Sequence, residues 1–166
     1  NGGTFNGSRD WDFGDGATDT IVSPQHLYAS VNQYTVKLKI VTSFGCADSV
    51  TKIIVINPKP VVDFTTTDTA GCSPFTTTFV NQTTIASGKI IKYLWEFGSI
   101  NSKSDLKDPP PHKFVNTSST TPVDYTIKLT ATSDSGCVST ISKNNFITVF
   151  PKPHAAFKVD PKETLL

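Results

Sequence analysis

The sequence predicts an all-β protein built from tandem β-sandwiches, on three observations. Thr, Val and Ile are frequent and Met is absent, and β-branched side chains suit pleated, half-buried surfaces. Segments such as "YTVKLKIV" (34–41) and "YTIKLTA" (125–131) alternate apolar and polar residues for much of their length, as strands do. The third observation is an internal repeat, and segments of helical period with caps are lacking.

The repeat relates the segment 34–60 to the segment 125–153. Its spacing grows from 84 residues at the tryptophans to 93 residues at the closing "PKP". Insertions account for this growth, and they fall mostly in polar, Pro/Ser/Thr-rich loop sequence between residues 99 and 124. The equivalent pairs are Trp11 and Trp95, His26 and His112, Tyr34 and Tyr125, and Cys46 and Cys137.

Each "PKP" marks a boundary, because proline fixes φ and favours a stiff, extended linker. We therefore predict the back part of one domain at 1–57, a complete domain at 58–153 and the start of a third repeat at 154–166. By comparison with the Phe64–Trp95 spacing, domain 1–57 lacks about 20 residues before its tryptophan. We expect Asn1 to be an internal residue of a longer or processed chain, and domain 1–57 not to fold alone, because its core would stay open.

Bulk properties exclude several function classes. The net charge of +1 provides no basic field for nucleic acid. No apolar run reaches the roughly 20 residues of a membrane span. The three cysteines form no Cys-x-x-Cys pair, so a zinc site is not expected.

The segment "WDFGDG" (11–16) raises several possible roles. Trp11 and Phe13 share one face of a strand at period two and predict a core pair, followed by a tight turn at Asp15-Gly16. The second copy keeps Trp95 and Phe97 but has Glu96 and Ser99 at the acidic positions. A catalytic or phosphate-binding role that needs both aspartates would not survive that change.

Together, "WDFGDG", the "P-x-H-x-Y" of Pro24, His26 and Tyr28, "YTVKL" and the Gly-Cys turn resemble a PKD (polycystic kidney disease) domain. The resemblance covers nearly all of the chain and implies tandem seven-stranded, immunoglobulin-like sandwiches. The cysteine pattern most resembles PKD arrays in large surface or secreted proteins of Bacteroidota, including gliding-motility adhesins and type IX secretion cargo.

The function that this resemblance implies is a non-catalytic extracellular spacer or adhesion module on a bacterial surface or secreted protein. Its expected partners are neighbouring repeats of the same chain and a protein or glycan ligand. Two alternatives stay open: a glycan- or protein-binding module that uses the insert 99–124, and an accessory domain of a secreted hydrolase.

Calcium is the remaining cofactor candidate, because some PKD domains of bacterial collagenases bind it near strand ends. Asp12, Asp15 and Asp19 could contribute oxygens, although calcium needs six to eight of them. We expect no cofactor, with calcium as the weaker alternative.

No catalytic group is predicted. His26 and His112 follow prolines at equivalent places and lack a nucleophile in a recognisable context; we expect each to bond nearby backbone, and His154 has no evident partner. Glu96 and Asp105 could be imagined as a glycosidase pair, but two carboxylates without a cleft are poor evidence.

An extracellular setting permits disulfides. Because a sandwich can bring the two ends of its chain close, we predict a Cys72–Cys137 bond, with the partner of Cys46 lying before Asn1. Two sets of short motifs match glycosylation patterns, although such matches arise by chance in a Thr/Ser-rich chain. The N-linked acceptors are Asn6, Asn81 and Asn116, and the Bacteroidota-type O-linked segments begin at Asp19, Asp48 and Asp68.

Overall fold

The computed structural model describes residues 7–98 and 102–158. All regular elements in these residues are β-strands, which confirms the predicted all-β class. None of the described segments forms a helix of the length and hydropathy that crossing a bilayer requires. The chain divides into two compact units, Asn1–Pro58 (unit 1) and Lys59–Leu166 (unit 2).

Unit 1 contains one antiparallel sheet in the order β2-β1-β3-β4. Its register places Trp11 opposite Leu38, and Leu38 opposite Val50. These three side chains lie on the same face of the sheet because directly opposed residues share a face. The strands are β1 (Gly7–Asp12), β2 (Thr18–Asp19), β3 (Gln33–Thr42) and β4 (Ala47–Val55).

Unit 2 has a five-stranded sheet in the order β10-β9-β12-β13-β6 and two smaller pairs, β11-β7 and β5-β8. In the described part of this unit, β13 and β6 are the strands that pair in parallel. The strands are β5 (Phe64–Thr66), β6 (Ala70–Cys72), β7 (Phe75–Thr77), β8 (Phe79–Asn81), β9 (Ile90–Phe97), β10 (Lys103–Ser104), β11 (His112–Phe114), β12 (Val123–Ser133) and β13 (Val138–Phe150).

The core of unit 2 lies between the large sheet and the two small pairs. Trp95 is fully buried, and the rings of Phe64 and Phe79 approach it at centroid distances of 5.2 and 5.8 Å. Edge-to-face and tilted arrangements are favoured geometries for aromatic pairs, so these contacts stabilise the core beyond the burial of the rings. The buried residues of this core are Phe64, Phe79, Trp95, Phe97, Phe114, Ile127, Leu129, Ile147 and Val149.

The structure does not support the predicted Cys72–Cys137 disulfide. Cys72 pairs with Phe150 at the end of β13, whereas Cys137 directly precedes Val138 at its start. At about 3.3 Å per residue, the length of β13 separates the two cysteines by roughly 40 Å. A disulfide needs Cα atoms within about 7 Å, so the prediction was wrong. Cys72 and Cys137 lie at opposite ends of β13, and the length of this strand separates them.

The third predicted repeat falls largely outside the described residues. Residues 154–158 are described and form no strand. The division into units falls within the first "PKP" segment, while the assignment of each domain to a PKD repeat stays a prediction at this point.

Trp95 provides a test of the core of unit 2. Trp95→Ala should lower the free energy of unfolding by about 3–5 kcal/mol, because truncating a buried large aromatic removes its burial and leaves a cavity. Chemical denaturation followed by circular dichroism measures this change. Trp11→Ala is the matched variant, and it should cost less because Trp11 is partly exposed. A cost below about 1 kcal/mol for Trp95→Ala would contradict the burial that the structure shows.

Candidate functional site

The turn after β1 uses its aspartates as backbone acceptors. Asp12 Oδ1 accepts from the Gly14 N–H at 2.8 Å, and Asp15 Oδ1 accepts from the Ala17 N–H at 3.0 Å. Gly14 has φ = 76°, and a Cβ there would lie 2.7 Å from the Thr35 carbonyl oxygen. The glycine is therefore required both by the turn conformation and by the close approach of β3.

The three calcium candidates are occupied by local hydrogen bonds. Besides Asp12 and Asp15, Asp19 Oδ1 accepts from the N–H groups of Thr20 and Ile21 at 2.6 and 3.0 Å. In the part of the chain that the structure describes, no three His, Cys, Asp or Glu side chains converge in a way that could hold a metal ion. Calcium binding by these aspartates stays an untested hypothesis.

His26 lies within a column of rings. Its imidazole stacks on Phe13 with centroids 4.1 Å apart and planes 9° apart, and it meets Tyr28 edge-on at 4.7 Å. His26 Nε2 lies 2.7 Å from Asp15 Oδ2. The predicted bond from His26 to nearby backbone is thus replaced by a side-chain partner 11 residues away in the sequence.

Unit 2 repeats this column with a different polar partner. His112 stacks on Phe97 at 4.2 Å and meets Phe114 at 4.7 Å. Its Nε2 lies 2.9 Å from the Ser102 hydroxyl. The two histidines therefore have the same packing role, but one is next to a carboxylate and the other next to a neutral hydroxyl.

Hydrogen bonding and burial shift the pKa values of Asp15, His112 and Tyr28. The hydrogen bond from His26, followed by that from the Ala17 N–H, lowers the pKa of Asp15 below its usual value. Burial lowers the pKa of His112, because an imidazolium would lose its hydration there. Burial also raises the pKa of the Tyr28 phenol, whose hydroxyl donates to the Phe13 carbonyl at 3.1 Å.

The imagined glycosidase pair is not supported by the electrostatics of Glu96. Lys128 and Lys103 contact its carboxylate at 2.8 and 3.2 Å, and the hydrogen bonds from Lys128 and then Lys103 lower its pKa. A carboxyl with a lowered pKa is a poor general acid at neutral pH. Asp105 and His154 are exposed.

Several side chains have structural roles that the sequence interpretation missed. Asn116, which matches the N-glycosylation motif, is buried, and its Nδ2 donates to the carbonyls of Thr121 and Val149, both at 2.8 Å. Because both hydrogen bonds use the side-chain amide inside the fold, the structure does not favour glycosylation of Asn116. Asn81 Nδ2 likewise donates to the Lys107 carbonyl at 2.9 Å, whereas Asn6 lies outside the described residues.

The insert 99–124, predicted as a binding segment in one alternative, is partly used for packing. Residues 99–101 lie outside the described residues. The described part supplies β10 and β11, and the Leu106 carbonyl accepts the Trp95 indole N–H at 3.1 Å. Phe114, from β11, is buried in the core.

The most open apolar surface among the described residues lies on the inward face of the unit 1 sheet. A groove of about 430 Å³ runs along Trp11, Phe13, Pro24, His26 and Tyr28. A second groove of about 290 Å³ continues over this face toward β4. The residues lining the second groove are Trp11, Val36, Leu38, Val50, Thr51, Lys52 and Ile54. This face, hereafter the open face, corresponds to the side of the unit 2 sheet on which Phe64 and Phe79 cover Trp95.

The sequence of unit 1 matches a known family. A family model described as PKD domain matches residues 6–56. A PKD domain in this region is therefore supported. The family model that matches describes this module and not a catalytic domain.

Curated and solved proteins give further likenesses. A stretch of 47 residues is 43% identical to a microbial collagenase of Vibrio alginolyticus, covering 28% of this chain and 6% of that enzyme. The chain thus spans a small fraction of this relative. The PKD1 domain of Vibrio anguillarum Epp is similar at 23% identity and a TM-score of 0.44, covering 57% of this chain and 99% of that one.

Two other solved structures are also similar. The PKD1 domain of the Vibrio cholerae metalloprotease PrtV has 24% identity and a TM-score of 0.42, covering 57% of this chain and 98% of that one. Fibronectin(III)-like modules of Clostridium thermocellum CbhA have 15% identity and a TM-score of 0.40, covering 92% of this chain and 83% of that one. The collagenase and both PKD1 domains come from Vibrio. They do not support the expected link to Bacteroidota, gliding motility or type IX secretion.

The Asp15–His26 pair predicts acid sensitivity of unit 1. The pKa of Asp15 is lower in the folded state than its ordinary value of 3.8. The Asp15–His26 contact therefore stabilises the fold fully at pH values above 3.8. The contribution is lost as the pH falls through the folded pKa. Asp15→Asn should therefore lower the stability of unit 1 at pH 6 and reduce the difference in its stability between pH 6 and pH 3. The denaturation midpoint at each pH, followed by the Trp11 indole signal, measures both changes. Asp10→Asn, an exposed carboxylate of β1, is the control, and equal behaviour of the two variants would contradict the assignment.

His112 predicts a pH dependence of unit 2 in a different range. Its pKa is lowered from 6.5 in the folded state, so below about pH 6.5 the unfolded chain binds a proton that the folded unit resists. Stability should decline as the pH falls from 6.5 to the folded pKa and then level off. His112→Phe keeps the ring stack without the titration and should remove this decline in denaturation experiments at pH 7.5 and 5. An unchanged decline in the variant would assign the effect to another group.

Proposed function

We propose that this chain is a non-catalytic accessory module of a secreted multidomain hydrolase. The observation that carries the proposal is the match of a 47-residue stretch of this chain to 6% of a microbial collagenase. A module that is a small part of a large enzyme has its catalytic residues elsewhere in that chain. The PKD1 domain of the metalloprotease PrtV is likewise named as part of a protease. An extracellular location follows from this proposal.

We further propose that both units are PKD repeats. Each unit contains the same ring column: Trp11 stacks with Phe13 and Trp95 with Phe97, at interplanar angles of 5° and 2°, and each column continues to a histidine. The tyrosines that close the repeat also match, since Tyr34 donates to the Ser30 carbonyl and Tyr125 to the Val115 carbonyl. This internal likeness extends beyond residues 6–56, where the family model ends.

The mechanism that we propose is geometric. The closed sandwich of unit 2 is a stiff body, and the Pro-Lys-Pro segments at 58–60 and 151–153 restrict the backbone on either side of it. Such modules set the distance between a catalytic domain and an insoluble substrate or a cell surface.

A surface adhesion module is the second candidate. The observation that favours it is the open face of unit 1, which could contact a protein or glycan ligand. The two candidates differ in whether a neighbouring catalytic domain exists and in whether this face binds a ligand in trans.

The proposal requires a longer protein with a hydrolase domain, and deletion tests it there. Removing residues 1–153 should leave kcat/KM for a short soluble peptide or glycoside unchanged while it slows release of product from an insoluble substrate several-fold. The isolated chain 1–166 should hydrolyse neither gelatin nor casein. Equal losses on soluble and insoluble substrates, or hydrolysis by the isolated chain, would overturn the proposal.

A further inference from the structure

The end of β13, where the chain leaves unit 2, is held between two neighbouring strands. Its last three residues, Thr148–Phe150, pair in parallel with β6, and Thr148 and Val149 also pair with β12. An edge strand would leave one row of backbone groups without partners. The end of β13 is instead an inner strand of the large sheet, in the order β12-β13-β6.

Further backbone hydrogen bonds reach the same three residues. The Ser73 N–H donates to the Phe150 carbonyl at 2.9 Å, and the Thr148 N–H donates to the Thr69 carbonyl at 2.8 Å. Thr69 directly precedes β6 and Ser73 directly follows it, so the chain on either side of this short strand also holds β13. The Phe150 carbonyl is the last acceptor before Pro151, which has a fixed φ and no N–H.

A buried asparagine joins a third segment to the end of β13. Asn116 and Ser73 are both buried. The two Nδ2 hydrogens of Asn116 are donated to the Val149 and Thr121 carbonyls. The Ser73 hydroxyl accepts the Asn116 N–H at 3.0 Å and donates to the Asn116 carbonyl at 3.1 Å. Because buried polar groups without partners are costly, this network favours one geometry for the segments that it connects.

We propose, on the basis of the spacer function proposed above, that Asn116 and Ser73 form an exit clamp that fixes the direction in which the chain leaves unit 2. The clamp holds the end of β13. The Pro-Lys-Pro segment at 151–153 then extends this direction, because each proline restricts its own φ and the conformation of the residue before it. The segment that follows residue 153 is therefore oriented by unit 2 and not only tethered to it. Asn116 is a positioning residue in this device.

The experiment measures ¹⁵N order parameters in the full chain 1–166. The Lys152 amide reports the exit, because it is the N–H of the Pro-Lys-Pro segment. Its order parameter should be about 0.85 in the wild-type chain, the value of a rigid backbone, and should fall below about 0.6 in Asn116→Ala. The amides of Trp95 and Leu129, which lie in the core, should keep their wild-type values in this variant.

Asn81→Ala is the matched control. Asn81 also donates its Nδ2 to a backbone carbonyl, that of Lys107 at 2.9 Å, but neither residue belongs to the exit clamp. This variant should leave the Lys152 order parameter unchanged.

Ser73→Ala is a second test of the clamp. It keeps the side chain of Asn116 but removes the hydroxyl that bonds to the Asn116 backbone. The Lys152 order parameter should then lie between those of the wild type and Asn116→Ala. If Asn116→Ala does not fold, a fall in Ser73→Ala alone decides for the clamp.

Three results would overturn the proposal. The first is a Lys152 order parameter below about 0.6 in the wild-type chain. The second is a wild-type value in every folded variant of the clamp. The third is an equal fall in Asn81→Ala, which would assign the change to general loss of stability. Because these values are measured in chain 1–166 alone, they can fail while the deletion result in the longer protein holds, and the reverse.

Discussion

The structure of unit 2 depends on covering one tryptophan. Trp95 lies on the inward face of β9, and no solvent reaches it once Phe64 and Phe79 pack against it. Both phenylalanines come from strands outside the large sheet. Burial of their apolar area therefore joins the two layers of the sandwich. The Lys143–Asp63 contact then fixes where the first of these strands lies, because the same lysine also bonds to the Phe64 backbone.

The ring column is a second feature that both units share, but the polar partner of its histidine differs between them. A stack of Phe on His tolerates either protonation state, so the partner of the imidazole sets the response to pH. In unit 1 that partner is the Asp15 carboxylate, whose Oδ2 lies 2.7 Å from His26 Nε2 and whose pKa the contact lowers. In unit 2 it is the Ser102 hydroxyl, and burial favours the neutral ring of His112. The same packing position can thus serve two units with different acid sensitivity.

The strands and the internal repeat could be predicted from the sequence, whereas contacts between residues far apart in the chain could not. Strand alternation and the repeat identified the all-β class and the buried residues Phe13, Trp95 and Phe97, because these depend on local period and on equivalent positions. Trp11, predicted as the core partner of Phe13, is partly exposed. The Cys72–Cys137 prediction failed because it needed the length and direction of β13. The structural role of Asn116 could not be predicted because its partner at Val149 is 33 residues away.

The polar groups of this chain also bear on its function. A catalytic carboxyl or histidine needs a proton affinity suited to transfer at working pH and a position that faces a substrate. Here Asp15 and Glu96 have lowered pKa values because cationic or N–H donors of their own unit bind them. His112 is packed between Phe97 and Phe114. These contacts stabilise the fold that carries them, as the accessory module that we propose requires.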